Sequence, residues 1–173
     1  MIGNAKRVCT AFPTAACHRA APVLAYAWAM DPKIEALSPA EQQLLDDQFA
    51  HADELVQSHT RKPLDGSHED LVALQRLLDT KTIEPEAQYT LESLGVAFGR
   101  VFTKQFPAYH WCMVEDEFGR DPAVQYKQTS LLVFPSQMLL KRVEERTPFT
   151  VPGLYEEMRI QLDDIRNEHF PGE

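Results

Sequence analysis

Residues 110–135 read HWCMVEDEFGRDPAVQYKQTSLLVFP, and this stretch decides the fold. It contains three short runs rich in apolar and aromatic residues, which lie at 110–114, 122–127 and 130–134. Runs of this length between polar segments are typical of strands. Gly119, in the first polar segment, can adopt the positive φ that a tight turn needs. The stretch therefore predicts a three-stranded antiparallel meander with an acidic turn.

The rest of the chain has helical periodicity. Five helices are predicted from apolar residues at helical spacing, over residues 39–58, 67–80, 85–107, 135–146 and 152–169. Ser38 and Glu41 form a capping box before the first helix, with Pro39 at its first position, and Ser67 with Asp70 predicts a similar start for the second. We therefore expect an α+β domain in which the three-stranded meander packs with about five helices.

Gly95 and Gly99 lie four residues apart in the third predicted helix. Each glycine costs a helix about 1 kcal/mol relative to alanine. We expect a packing reason for that cost, namely the close approach of another element. The pair does not indicate a membrane helix, because Arg100 and Lys104 interrupt the apolar surface.

Charge is unevenly distributed along the chain. Residues 1–29 hold three basic residues and no acidic one, so residues 30–173 carry 14 of the 17 basic and all 26 acidic side chains, a net charge of −12. An acidic surface repels phosphate backbones, which argues against DNA or RNA as the ligand. It favours a basic protein partner, which opposite charge would steer to the surface. No apolar run reaches the roughly 20 residues of a spanning helix, so we expect no membrane insertion.

Residues 1–29 differ from the rest of the chain in being rich in alanine and free of Asp and Glu. We expect a poorly ordered or spurious extension before a single domain at 30–173, with translation starting at Met1 or at Met30. Two alternatives stay open, a cleaved export signal and a helix integral to the fold. The three cysteines have neither disulfide nor zinc-ligand spacing, which fits a reducing cytoplasm.

Short segments in a fixed order carry a resemblance to a known family. They are LGVAFG at 94–99, WCMVEDEFGRD at 111–121, VFP at 133–135, KRVE at 141–144 and LY at 154–155. Over roughly residues 70–165 this set resembles an uncharacterised bacterial family, the domain of unknown function 3806. The resemblance implies a bacterial α+β domain and no particular chemistry. Such small acidic domains are similar in size and charge to immunity proteins that neutralise toxins, which is an analogy of class only.

The acidic turn has the densest cluster of ionisable side chains in the sequence. Glu115, Asp116 and Glu117 are consecutive, and Arg120 and Asp121 follow closely. Consecutive strand residues point to opposite faces, so these carboxylates do not converge on one site. The sequence has no calcium-loop, helical His-pair, nucleotide-binding or nucleophile-elbow motif. We therefore expect no metal and no cofactor, and interpret the turn mainly as structure in which Arg120 neutralises its neighbours.

The preferred hypothesis is a non-enzymatic, cytoplasmic bacterial protein-binding module, such as an immunity- or antitoxin-like inhibitor of a basic toxin or effector. The expected contact residues lie on the first helix and at the acidic turn, namely Asp46, Asp47, Asp53, Glu54, Glu115, Glu117, Arg120 and Asp121. The alternative is a small hydrolase- or transferase-like enzyme, in which Glu115 or Asp116 is the base and Arg142 holds an anion. The oligomeric state stays open.

Two side-chain contacts are also expected around the meander. Trp111 and Tyr126 should face each other across the hairpin. Arg142, beside the apolar stripe of its helix, should pair with an acidic hairpin residue such as Glu115. The enzyme alternative further predicts a pocket beside the meander and a carboxyl group of raised pKa within it.

Overall fold

The computed structural model describes residues 32–117 and 119–170. They form four strands and five helices, in the order β1 Lys33–Ala36, α1 Pro39–Thr60, α2 Glu69–Asp79, α3 Gln88–Gln105, β2 Tyr109–Asp116, β3 Gly119–Tyr126, β4 Leu132–Val133, α4 Pro135–Glu144 and α5 Val151–His169. The α+β class and the five helices are confirmed. The expectations for residues 1–29 lie outside the described residues. None of the described helices is long and apolar enough to cross a bilayer.

The strands form one antiparallel sheet in the order β1-β2-β3-β4. The predicted number of three strands is wrong, because β1 pairs with β2 and places Ile34 opposite Val114. β1 has only four residues, KIEA, with one large apolar side chain, so the sequence shows no alternating pattern there. The third predicted strand is confirmed in place, but it is only two residues long.

The β2–β3 hairpin closes where Asp116 pairs with Gly119. Gly119 has a φ of 141°, and its N–H donates to Asp116 Oδ1 at 3.1 Å. The pairing at the tip sets the register, which puts Tyr126 opposite Tyr109 with ring centroids 5.0 Å apart. The prediction that Trp111 and Tyr126 face each other is therefore wrong, because Trp111 lies opposite the residue two positions earlier in β3.

The two glycines of α3 allow α4 and the sheet to approach the helix closely. A methyl group at Gly95 would lie 2.4 Å from Ser136 Cα and 2.6 Å from the Pro135 carbonyl oxygen. At Gly99 it would lie 2.6 Å from the ring of Trp111. The expected packing reason for this pair is confirmed, and it explains why the helix carries two residues that weaken it.

The start of α1 is confirmed and that of α2 is not. Ser38 Oγ accepts the N–H of Glu41 at 3.3 Å, and Glu41 Oε2 accepts the N–H of Ser38 at 2.7 Å. α2 begins at Glu69 without a side-chain cap, so the capping role predicted for Ser67 is wrong. The reason is that Asp70 turns back to the preceding loop, where Oδ2 accepts two backbone N–H groups, those of residues 65 and 66.

One large apolar core lies between the helices and the sheet. Its fully buried side chains include Leu71, Leu74, Phe98, Leu139 and Tyr155. Helix α5 closes the core, and Tyr155 donates its hydroxyl to Gln105 Oε1 of α3 at 2.7 Å. A small second cluster, built on Cys112, Val114 and Ala123, is formed by the strand residues that alternate with the core-facing ones.

Candidate functional site

Arg120 lies at the centre of the acidic region predicted from the sequence. Its Nη1 donates to Glu35 Oε2 of β1 at 2.7 Å and to Glu115 Oε2 of β2 at 3.3 Å, and its Nε donates to Glu41 Oε1 of α1 at 2.8 Å. Lys33 adds ion pairs to Glu35 at 3.0 Å and Glu115 at 3.8 Å. One guanidinium on β3 therefore ties together two neighbouring elements of the sheet and the first turn of α1.

The electrostatics of this network follow from its hydrogen bonds. Bonding to Arg120, and then to Ser38, lowers the pKa of Glu41 to about 2. The pKa of Glu35 is also lowered, chiefly by Arg120. The pKa of Arg120 is raised, first by Glu41. These groups are consequently all charged at neutral pH and neutralise one another inside the molecule.

The sequence predicted the local part of this network and missed the rest. Glu115 and Arg120 are a directly opposed cross-strand pair, as a turn at Gly119 implies. Glu35 was missed because β1 was not predicted. Glu41 was recognised only as a helix-capping residue, and nothing in the sequence showed its second role.

The remaining carboxylates of the turn have separate environments. Asp116 accepts the N–H of Gly119 and so closes the turn. Asp121 is half-buried, and burial, followed by the charge of Asp116, raises its pKa. Glu117 is exposed. Within residues 32–117 and 119–170 no three His, Cys, Asp or Glu side chains are grouped to hold a metal ion.

The enzyme alternative required Arg142 near the carboxylates of the hairpin. Arg142 is only 8% exposed on α4, whereas Glu115 is exposed and bound to Lys33 and Arg120. Among the described residues no ion pair joins Arg142 to Glu115, so that expected contact is wrong. Glu115, one of the two predicted bases, is thus paired with Lys33 and Arg120 and not with the predicted anion holder.

A shallow depression of about 280 Å³ lies elsewhere, between the end of α1 and α2. It is lined by Thr60, Lys62, Pro63, Glu69, Asp70, Val72, Ala73 and Arg76. Burial raises the pKa of Asp70, although the N–H of Gly66 partly offsets this effect. Lys62 donates to Glu69, and Asp70 accepts from the loop backbone. Lys62, Glu69 and Asp70 are thus already bound within the chain, and Arg76 is exposed.

The predicted acidic residues of α1 fall into two pairs. Asp46 accepts from Arg100 Nη2 at 2.7 Å, and the Arg100 guanidinium also lies 4.0 Å from the ring centroid of Phe49. Asp53 accepts the N–H of Leu64 at 2.7 Å and thereby holds the loop after α1. Both carboxylates consequently stabilise the fold.

Asp47 and Glu54 form the second pair, and both are exposed. The contact of Asp47 is with Gln43 of the same helix, at 2.8 Å. Leu44, 52% exposed, lies one turn before Asp47, and His51 lies one turn after it. Residues spaced by three, four and three share one side of a helix, so Leu44, Asp47, His51 and Glu54 form a continuous row.

Tyr89 of α3 extends this row sideways. Tyr89 is 48% exposed, and its ring centroid lies 5.2 Å from that of His51. His51 Nε2 lies 3.3 Å from Thr90 Oγ1, which fixes the imidazole against α3. We call Leu44, Asp47, His51, Glu54 and Tyr89 the α1 strip. It combines two exposed carboxylates with two exposed large apolar side chains. The sequence indicated its carboxylates but not its apolar members.

Comparison with known proteins adds a family and a fold. The family model described as "Domain of unknown function (DUF3806)" matches residues 70–155 and confirms the resemblance seen in the sequence. A crystal structure of a protein from Bacteroides thetaiotaomicron VPI-5482 superposes with a TM-score of 0.70 at 16% identity, over 76% of this chain and 48% of that one. The chain thus spans about half the length of that protein, and the likeness shows a shared fold alone. No curated protein is a significant match.

Proposed function

Because residues 70–155 belong to the family described as a domain of unknown function (DUF3806), whose description names no activity, we propose a function from the surface of this chain. The protein is a non-enzymatic bacterial binding module, and it uses the exposed side of α1 to hold a basic partner protein. More specifically, the protein is a cytoplasmic immunity- or antitoxin-like inhibitor of a basic toxin or effector.

The charge of α1 is the observation that carries this proposal. The 22 residues of the helix include five carboxylates and neither Lys nor Arg. Two of these carboxylates, Asp47 and Glu54, are exposed on one side of the helix and point away from the core-facing residues. Opposite charge on a partner raises the association rate by about 10- to 1000-fold at low salt and disfavours acidic competitors.

The inward contacts of α1 support the same use. Glu41 is bound to Arg120, Asp46 to Arg100, and Asp53 to the backbone of the following loop. These contacts fix the helix to the sheet, to α3 and to the α1–α2 loop. A surface that is already rigid loses little conformational entropy when a partner binds.

The acidic turn of the hairpin suits this role less well. Arg120 and Lys33 neutralise Glu115 within the molecule, and Asp121 is half-buried. A basic partner would have to compete with those cations for the same carboxylate. We therefore assign the hairpin to the fold and the α1 side to the partner.

The cytoplasmic setting rests on the state of Cys112. Its thiol is free and buried, and burial raises its pKa to about 11. A thiol protonated at neutral pH and shielded from solvent is chemically inert, which fits a structural side chain. A free thiol without a disulfide partner among the described residues is typical of proteins in a reducing compartment.

Capture at two salt concentrations tests this function. The immobilised full chain is exposed to lysate of its own organism in about 50 mM and then about 300 mM salt, since the Debye length shortens from about 14 to 6 Å. The comparison uses Asp47→Asn with Glu54→Gln, and the matched control Glu144→Gln with Glu145→Gln at the C-terminal end of α4. Any captured protein is then purified and its affinity for each variant is measured.

We expect a basic protein whose binding weakens at high salt and in the α1 variant, while the α4 control binds normally. If every retained protein binds the α1 variant as tightly as the unaltered chain, the assignment of this surface is wrong.

A further inference from the structure

We propose that the α1 strip receives a basic amphipathic helix of the partner, laid along α1 with its apolar seam on Leu44 and Tyr89. This inference rests on the proposed function, and it specifies the shape of the partner segment. The strip is more than an acidic cluster, because its two exposed large apolar side chains stand beside the two exposed carboxylates.

The spacing of the strip matches a second helix. Asp47 and Glu54 are seven residues apart, which corresponds to two turns and about 10 Å along the axis. Lys or Arg residues at positions i and i+7 of a partner helix have the same separation. An apolar residue at i+3, between the two cations, would then lie level with His51 and the ring of Tyr89, and one at i−4 would lie level with Leu44, one turn before Asp47.

The backbone of α1 excludes the main competing mode. An extended peptide adds to a protein by pairing with free N–H and C=O groups at a sheet edge. The interior N–H and C=O groups of an α-helix are occupied by its own hydrogen bonds, so the α1 strip offers side chains only. A partner helix satisfies its own backbone hydrogen bonds and brings several side chains into one line. A strand laid on α1 would leave its backbone N–H and C=O groups without protein partners.

The partner helix would pack over the junction between α1 and α3. His51 is half-buried and contacts Thr90 and Tyr89, so its ring lies between α1 and α3 at that point. Leu44, seven residues earlier on α1, has an exposed apolar side chain. An apolar residue of the partner helix can cover it. Side chains of a partner helix can pack over such a ridge by interdigitation.

Designed peptides test the inference with the full-length chain. The first is an 18-residue peptide with Lys at helical i, i+4 and i+7 spacing and Leu on the adjoining seam. The second has the same composition but alternates Lys and Leu, and the third replaces every Lys by Glu. Binding is measured by fluorescence anisotropy in about 50 mM salt, and peptide helicity by circular dichroism.

We expect the helical basic peptide to bind about tenfold more tightly than the alternating one and to gain helicity on binding, because one well-placed apolar contact is worth about that factor. Leu44→Ala, and separately Asp47→Asn with Glu54→Gln, should each weaken binding by about five- to tenfold. Glu144→Gln with Glu145→Gln should leave the affinity unchanged.

The outcomes separate this inference from the proposed function. Equal binding of both basic peptides, still lost in Asp47→Asn with Glu54→Gln, overturns the helical mode and leaves an acidic binding surface standing. If Leu44→Ala does not weaken binding of the helical basic peptide, the helical mode is also overturned, because the apolar contact would then lie elsewhere. If neither basic peptide binds more tightly than the Glu peptide, the helical mode is wrong, and the captured protein alone decides the function.

Discussion

Arg120 and Glu41 join the hairpin to the first helix through a carboxylate that performs two tasks. Glu41 Oε1 accepts from Arg120 Nε at 2.8 Å, while Oε2 accepts the backbone N–H of Ser38 at 2.7 Å. The residue that caps α1 therefore also anchors α1 to β3, 79 residues away in the chain. The proposed binding surface begins one turn beyond this anchor, so its orientation depends on this contact.

A double-mutant cycle measures this coupling. Glu41→Gln keeps an acceptor for Ser38, because glutamine also serves in capping boxes, but it loses the ionic contact with Arg120. We predict that Glu41→Gln and Arg120→Gln each lower the urea midpoint, and that the double variant loses less than the two single losses together. Arg159→Gln is the control, because its ion pairs stay within α5. Strict additivity of the first two changes would show that the contact contributes nothing.

Acid titration tests the same contact independently. The pKa of Glu41 is lowered to about 2, first by Arg120, whereas an unfolded chain titrates glutamate at about 4.3. Because the folded pKa is the lower one, the stabilisation is present above the unfolded value and is lost as the pH falls from about 4.3 towards 2. We predict a steeper fall of Tm over this range in the unaltered protein than in Glu41→Gln. Asp70 and Asp121 titrate in both proteins and cancel in the difference. Parallel Tm curves would contradict the pKa shift.

The contact between α3 and α4 leaves no room for a side chain at Gly95. Alanine would gain about 1 kcal/mol of helix propensity but would place Cβ against the backbone of Ser136. We predict that Gly95→Ala is destabilising overall, by about 1–3 kcal/mol, as overpacking of a rigid contact commonly is. Gly99→Ala should cost less, since its nearest neighbour is the side chain of Trp111 rather than backbone. Urea denaturation that ranks the two variants in the reverse order would refute this packing.

Asp70 separates the effects of hydrogen bonding and of charge. Its side chain is 5% exposed and accepts the N–H groups of Asp65 and Gly66. Asp70→Ala leaves both donors without this acceptor and should cost about 1–3 kcal/mol. Asp70→Asn keeps an acceptor and removes a charge that burial disfavours, so at pH 7 it should be at least as stable as the unaltered chain. If the asparagine variant is as unstable as the alanine variant, the charge itself holds the loop.

The sequence predicts those parts of the fold whose signals are local. The capping box at Ser38 and Glu41, the turn at Gly119 and the close contact at Gly95 and Gly99 each depend on residues adjacent in one element or on a steric rule for one residue type. All were confirmed in the structure. The class and the five helices followed from apolar periodicity for the same reason.

Features that depend on distant parts of the chain were missed or were wrong. β1 joins the sheet by pairing with residues about 80 positions later, and its four residues carry no pattern of their own. The Ser67 cap was displaced because Asp70 binds the loop instead. Arg142 was assigned to Glu115 without knowledge that Arg120 already occupies that carboxylate. Side-chain partners chosen across elements require the register and the packing, which one sequence does not provide.

Chemical-shift mapping shows which surface of the chain binds a basic helix. The ¹⁵N-labelled full chain is titrated with the helical basic peptide in low salt, and the amide shifts of all elements are followed. We expect saturable shifts over residues 44–54 of α1 and at Tyr89, with the amide shifts of the hairpin tip at residues 115–121 unchanged. Shifts centred on the hairpin tip, or small shifts spread over the whole surface without saturation, would contradict this prediction.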